Sequence, residues 1–479
     1  MFKTTIFAAC LLYTIKGYTQ EISRNMSAAM DSVAHNLAGG VQINGRPMRW
    51  SLTERMEYYK TPAVSIAVIQ DSKILWSKAY GWADKTKNLK ATTKTRFQAA
   101  SMSKPINALA FVRLAEQGKV DLFSDINAYL RTWKFPYDTI SQGKIIHVAN
   151  LLSHTAGLSV HGFRGYHIQD TLPTLIEVIE GKKSANSAPI KALRAPSEKF
   201  EYSGGGTTIS QLVLQEIVGE PYSQFMERYI LTPLHMCNSS YRHTWSEEEG
   251  SPFAVAHVHG TPVDGQYRLY PEQAAAGLWT TPEDLARYVI ELQNALNKKT
   301  TKLISHASAI LKLTPYQNPT VGLGDFVIDK EGQKYFTHGG INEGFVGQYV
   351  GSFDGKYGAV VMTNGGDFDL VNEILNSIAI TYKWPNYYEP ERKDTVELST
   401  VLKHRYIGQY RNNDRTVRIS LDGDTPYLQF NDETPVKIYF TSPTSFFLFE
   451  NRSNFMFVED EEENVFGLKI NETVLKRTP

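Results

Sequence analysis

Cysteine is nearly missing from this 479-residue chain, which holds two, Cys10 and Cys237. Loss of an amino-terminal leader would leave Cys237 alone, so a disulfide framework and a cysteine metal cluster are both excluded. Neither sign of charge is in excess: 50 Lys and Arg balance 50 Asp and Glu. No basic surplus exists to neutralise phosphates, which argues against a nucleic-acid or polyanion binder. Past the amino end no run reaches the roughly 18 apolar residues of a membrane span. His-Glu-x-x-His, the phosphate loop and the dinucleotide glycine motif are all lacking. No repeat of about 20 to 50 residues is present. What remains is ordinary globular material, 42% hydrophobic and 21% charged, and long enough for two or more domains.

The amino end, Met1-Phe2-Lys3-Thr4-Thr5, leads into an apolar stretch from Ile6 to Ile15. It is too short to span a bilayer and has the layout of a secretory signal, expected over residues 1–20. Secretion across an inner membrane, into a periplasm, follows as the expected location.

The most informative segment is Ser101-Met102-Ser103-Lys104. In a helix starting near Ser101, Lys104 lies one turn along on the same face, so hydroxyl and amine can meet. A serine hydroxyl is a weak nucleophile until a neighbouring base takes its proton. The helix amino end adds unpaired backbone N–H groups where an oxyanion could form. The tetrapeptide alone is weak evidence, and a second copy, Ser141-Gln142-Gly143-Lys144, lies in apparent loop.

Context decides between them. Thr61 to Ile69 is a β-branched run, followed across Asp71-Ser72 by Lys73-Ile74-Leu75-Trp76, which reads as a hairpin. Then come the serine helix, Leu151-Leu152-Ser153-His154-Thr155-Ala156-Gly157-Leu158, Phe200-Glu201-Tyr202-Ser203-Gly204-Gly205-Gly206 and Thr337-His338-Gly339-Gly340-Ile341-Asn342. In kind and order these segments, over about residues 25 to 385, resemble the serine β-lactamase and penicillin-binding-protein-like hydrolases. The branch with class C β-lactamases, carboxylesterases and D-amino-acid peptidases is the nearest. The resemblance implies an α+β domain, its antiparallel sheet packed between helices, over residues 21–385. A polar, proline-marked linker is expected over 386–400. Short runs spaced about ten residues apart over 401–479 predict a small all-β barrel, similar to the lipocalin-like domains appended to some members. Its phenylalanines (Phe446, Phe447, Phe449, Phe455, Phe457) are expected to be core rather than a ligand pocket.

The resemblance also implies the roles. Ser101 would form an acyl-enzyme, Lys104 would take or steer its proton, and Tyr202 would be the second base and the acid to the leaving group. His338 stands where many relatives carry lysine and would add charge when protonated, bending the pH profile near the histidine range. Backbone N–H groups of Ser101 and Ile341 would form the oxyanion hole, with Gly339 and Gly340 letting the substrate approach. The middle motif departs from Tyr-x-Asn, having Gly204 in what reads as a glycine-rich turn. The last has His338-Gly339-Gly340 in place of Lys-Thr-Gly. Both departures remove β-lactam contacts. The expected reaction is hydrolysis of an ester, amide or short peptide, with no metal and no cofactor. A true β-lactamase or DD-peptidase, and a non-catalytic binder of peptidoglycan peptides, are the alternatives. His154 is expected to be structural, bonding the loop before Gly157, and His257 and His259 could share one strand face.

Overall fold

A computed structural model describes residues 25–243, 253–366, 368–413, 415–431, 435–449 and 451–478. The expected signal over 1–20 lies outside these. The chain divides into two compact units, one of Leu52–Ile378 with Trp384–Asn386, the other of the remaining residues.

The first unit is built on a seven-stranded sheet. Its strands are Ala63–Gln70 (β1), Lys73–Asp84 (β2), Leu89–Lys90 (β3), Phe326–Lys330 (β4), Gln333–Asn342 (β5), Phe345–Ser352 (β6) and Tyr357–Thr363 (β7). The spatial order is β3-β2-β1-β7-β6-β5-β4, with every neighbouring pair antiparallel. The sheet thus draws its strands from both ends of the unit, and helices fill the sequence between. Seven of the eight residues of β1 are buried, as the Val- and Ile-rich run requires of a strand covered on both faces.

The serine helix, Ser103–Glu116, follows a 3-10 turn at Ala100–Met102 and buries all of its first ten residues. A helix apolar all round belongs in a core. The helix Pro282–Leu296 begins as its sequence announces, with Thr281 accepting a hydrogen bond from the Asp284 amide and proline in the first turn.

Behind the serine helix lies a fully buried ion pair, Lys312 Nζ to Asp325 at 2.7 Å. Lys312 also donates to the Leu323 carbonyl at 2.6 Å. Asp325 accepts from the Tyr288 hydroxyl at 2.9 Å and from the Tyr349 hydroxyl. Gly324, between the two, has φ +90 and approaches the serine helix so closely that a Cβ would lie 2.8 Å from the Ala108 Cβ. No charge in this cluster can be removed without stranding another in a dry interior.

The second unit contains a nine-stranded antiparallel sheet curled into a nearly closed barrel. Its strands are Gly408–Arg411 (β8), Thr416–Asp422 (β9), Thr425–Phe430 (β10), Val436–Lys437 (β11), Tyr439–Phe440 (β12), Ser445–Leu448 (β13), Asn451–Glu459 (β14), Val465–Ile470 (β15) and Thr473–Thr478 (β16). They run β11-β10-β9-β8-β16-β15-β14-β13-β12, with the seam between β11 and β12. Tyr406, Phe446, Phe455 and Phe457 fill the core, with the Tyr406 and Phe457 rings stacked 3.9 Å apart.

Strand alternation turns Phe447 to the other side of the sheet from Phe446. Phe447 and Phe449 are buried there against Val41 and Ile43, with Trp50 beside them. The strand Val41–Ile43 pairs in parallel with Glu391–Lys393. Residues 25–51 therefore group with the barrel, not with the domain that the sequence places over 21–385. The segment read as a linker over 386–400 contains a strand. No helix among the described residues is long and apolar enough to cross a membrane.

Asp325→Ala should lower the free energy of unfolding by about 3–5 kcal/mol, because Lys312 would be left buried and unpaired. Chemical denaturation compared with wild type is the check. A loss under about 1 kcal/mol would show that the pair is not buried as described.

Candidate active site

Ser101 sits half-buried in the 3-10 turn that opens the serine helix. Ala100, just before it, is held at φ +50, a left-handed conformation that costs a residue with a Cβ of order 1–3 kcal/mol. The Ser103 hydroxyl secures this turn. It donates to the Ala100 carbonyl at 2.6 Å and accepts from the Leu278 amide at 3.1 Å.

Lys104 Nζ donates to Ser101 Oγ at 2.9 Å and to the Ala275 carbonyl at 2.8 Å. It lies 5.1 Å from the centre of the Tyr202 ring, within cation–π range. With Lys104 only 4% exposed, these contacts replace the water that a buried amine needs.

Tyr202 precedes the helix Gly204–Val218, which Ser203 caps through a bond from the Gly206 amide at 2.9 Å. Gly204, Gly205 and Gly206 form the helix's first turn, not the glycine-rich turn read from the sequence. The reason is close packing: a Cβ on Gly205 would lie 2.7 Å from the Ser159 carbonyl, and one on Gly204 3.0 Å from the Phe163 ring. Asn107 on the serine helix donates to Ser210 on this one at 2.9 Å, fixing the two helices against each other.

The third element is β5. Its pairing with β4 ends at Thr337↔Phe326. From His338 to Asn342 no strand among the described residues pairs with it on that side, and half of its backbone groups project to this open edge. Gly340 lies against the serine turn, where a Cβ would fall 2.2 Å from the Ala99 carbonyl and 3.1 Å from the Ser101 amide nitrogen. Only glycine permits that approach. Gly339 needs the same freedom on its other side, where a Cβ would meet the Phe368 ring at 2.7 Å. Ile341 is exposed at the same edge. Asn342 anchors the strand's end, donating to Gln98 Oε1 at 2.8 Å and to the Ala276 carbonyl at 3.2 Å.

Two imidazoles flank Tyr202. The His154 ring lies 4.3 Å from the tyrosine ring and the His338 ring 6.3 Å, centre to centre. His338 Nδ1 meets the Gly339 carbonyl at 2.6 Å. A carbonyl only accepts, so Nδ1 carries the proton and Nε2 is a bare acceptor. Burial, with the charge of Lys104 second, pushes the His338 pKa down to about 3. Both effects work against the expectation that His338 supplies charge and bends the profile near the histidine range. His154 is likewise driven well below its ordinary value by burial and then by Lys104. Its Nδ1 accepts from the Ser203 amide at 3.2 Å, a partner different from the loop expected. His257 is buried, but His259 lies beyond the two-residue strand His257–Val258, at φ +50, so the two do not share a strand face.

The fold therefore gathers Ser101, Lys104, Tyr202, His338, Gly339, Gly340 and Ile341 from three distant stretches of sequence. Sequence reasoning missed Ser103, Ala275, Gln98 and Asn342. Ser103 was visible as the second hydroxyl of the motif. The other three act through contacts that only folding creates.

A family model described as Beta-lactamase matches residues 51–378, well over half of the chain. The chain belongs to the β-lactamase family. Protein flp of Staphylococcus aureus (strain N315) is 25% identical over 236 residues, 48% of this chain and 45% of its own length. The chain thus spans about half the length of the curated relatives it matches. The octameric penicillin-binding protein homologue from Pyrococcus abyssi has the same fold, with TM-score 0.61 and 19% identity over 89% of this chain and 98% of that one. The D-amino acid amidase from Ochrobactrum anthropi SV3 matches with TM-score 0.54 and 20% identity, over 70% and 99% of the two chains. At these identities the two structures show the fold alone.

A histidine buried neutral destabilises the folded state in acid. The unfolded chain binds the proton near 6.5 and the folded chain only near 3. Stability should therefore fall as pH drops through that window, by at most about 1.4 kcal/mol per pH unit for His338. His338→Gln should flatten the dependence of Tm on pH between about 6.5 and 4. An unaltered slope would mean that His338 protonates freely in the native protein.

Proposed function

We propose that this chain is a serine acyl hydrolase that cleaves esters, amides or short peptides through an acyl-enzyme on Ser101. The observation that carries the reading is the 2.9 Å contact between Lys104 Nζ and Ser101 Oγ, made beside the Tyr202 ring and the open edge of β5. Ser101 Oγ attacks the acyl carbon while its proton passes to the Tyr202 oxygen, steered by the ammonium of Lys104. Tyr202 relays that proton to the departing alkoxide or amine as the bond to the leaving group breaks. Water then attacks the ester on Ser101 by the reverse path and restores the hydroxyl. The Ser101 N–H and a backbone N–H at Ile341 hold the developing oxyanion. Neutral His338 serves as a polar wall beside Tyr202 and not as a cation.

The amidase among the structural neighbours supports amide or ester substrates. Gly204 lacks an amide side chain, and His338 lacks the fixed charge that would hold a β-lactam carboxylate, so β-lactam turnover is expected to be low.

A fluorophosphonate probe should add its mass to the wild-type protein and not to Ser101→Ala. Lys104→Ala and Tyr202→Phe should each reduce kcat/KM on 4-nitrophenyl esters by about 10²- to 10⁴-fold, the usual range for a lost proton-transfer group. A chromogenic cephalosporin cleaved orders of magnitude faster than esters and D-amino-acid amides would reverse the substrate assignment. Failure of the probe to label any serine would remove the nucleophile.

A further inference from the structure

A cavity of about 550 Å³ opens in the first unit between residues 159–164 and 186–193, a size that suits a small ligand or a substrate side group. Its two walls are fastened together. The Ser159 amide donates to the Lys191 carbonyl at 2.9 Å, and the Lys191 amide donates to Ser159 Oγ at 2.8 Å. Val160 is held at φ +63, a conformation a β-branched residue adopts only when its surroundings force it.

The lining is apolar at Val160, Phe163 and Leu193 and cationic at Arg164 and Lys191, with no Asp or Glu. Neither cationic side chain forms an ion pair among the described residues. The nearby carboxylate of Glu201 is taken by Arg194 at 2.6 Å, so it does not neutralise them.

The cavity adjoins the serine site without being part of it, since Ser101, Lys104 and Tyr202 are not in its lining. The wall that bears Val160 is bonded to the residues just after Tyr202. Ser203 Oγ donates to the Ser159 carbonyl at 2.8 Å, and the Gly205 amide donates to the Val160 carbonyl at 2.9 Å. A substrate whose scissile carbonyl lies at Ser101 can extend past Tyr202 toward this space. Lys104 beside Ser101 is buried and committed to Ser101 and Ala275, whereas the cations of this cavity are exposed and placed to meet a second substrate group.

We propose that this cavity is a substrate subsite that receives an anionic group, a carboxylate carried on an apolar stem, through Arg164 and Lys191. The proposal rests on the hydrolase reading above and narrows its substrates to esters, amides or peptides with a second, negatively charged end. The apolar wall takes the stem, and the two cations at the rim take the charge. Exposed cations act through solvent, so the preference is salt-sensitive.

The test uses matched substrates, with the full chain throughout. In one pair a 4-nitrophenyl ester carries a terminal carboxylate or its carboxamide on the acyl side. In the other, a D-alanyl peptide has a free or amidated carboxyl end on the leaving side. Wild type should favour the anionic member of at least one pair, and about 0.5 M salt should shrink that preference. Arg164→Gln with Lys191→Gln should lower the anionic-to-neutral ratio of kcat/KM about tenfold, and Arg164→Glu with Lys191→Glu should invert it. A ratio unchanged by both double variants, or a wild-type preference for the neutral member of both pairs, overturns the subsite. Calorimetric binding of the same anionic substrates to Ser101→Ala, with and without the cation substitutions, reads the cavity independently of turnover. If binding depends on the two cations while no substrate is cleaved and no probe labels Ser101, the hydrolase reading has failed and the anion site stands. Binding indifferent to both charges removes the site.

Discussion

Everything at the candidate site depends on keeping one amine dry beside one hydroxyl. A buried lysine must replace its lost hydration, and Lys104 does so with Ser101 Oγ, the Ala275 carbonyl and the face of Tyr202. That solution uses the proposed nucleophile as one of the solvating groups. Removing the hydroxyl would therefore disturb the amine as well as the chemistry. Burial first, and then this same positive charge, lowers the proton affinity of His154 and His338. Both rings are thereby disfavoured as cations beside Lys104.

Bringing three elements within reach of that amine requires backbones to approach more closely than side chains allow. The fold meets this with glycine where β5 passes the serine turn, at Gly340, and where the Tyr202 helix begins against the Ser159 carbonyl, at Gly205. It accepts strain at Ala100 and holds it with the Ser103 hydroxyl. The buried Lys312 and Asp325 pair lies behind the same helix. A charge pair in that position contributes little net stability over an apolar equivalent, but it penalises any arrangement that separates the partners. Such an arrangement resists displacement behind the proposed nucleophile, and preorganised geometry is what acyl transfer would draw on.

How much of this was legible in sequence follows the range of the interactions. Ser101 and Lys104 are neighbours through helical geometry, so their spacing made the contact possible, and the neighbouring motifs singled it out from Ser141 and Lys144. The strands β5 to β7, the cap at Thr281 and the barrel strands are likewise local patterns. Gly204–Gly206 misled because glycine is a poor helix former, and the packing that makes it necessary involves Ser159 and Phe163, more than forty positions away. The boundary of the barrel unit was hidden for a related reason. Phe446 and Phe447 look alike in sequence, but alternation buries one inside the barrel and gives the other to residues 41–50. The state of His338 was least legible, since it depends on burial and then on a lysine brought alongside, both created only by folding.

That last point bears on what the site selects. A lysine at the position of His338 would present a charge to any substrate carboxylate at the edge of β5. The imidazole there donates from Nδ1 to the Gly339 carbonyl and leaves only a lone pair on Nε2, which attracts an N–H or O–H group and does not attract an anion. On the proposed function, recognition at the edge would rest on hydrogen bonding and shape. Ionic selection, where it exists, has to act at some distance from the reacting carbonyl, where Arg164 and Lys191 remain free. Separating the two tasks has a physical advantage. A cation held next to Lys104 would raise the cost of keeping that amine charged, whereas one beyond Tyr202 is screened by solvent and leaves the serine's partner undisturbed.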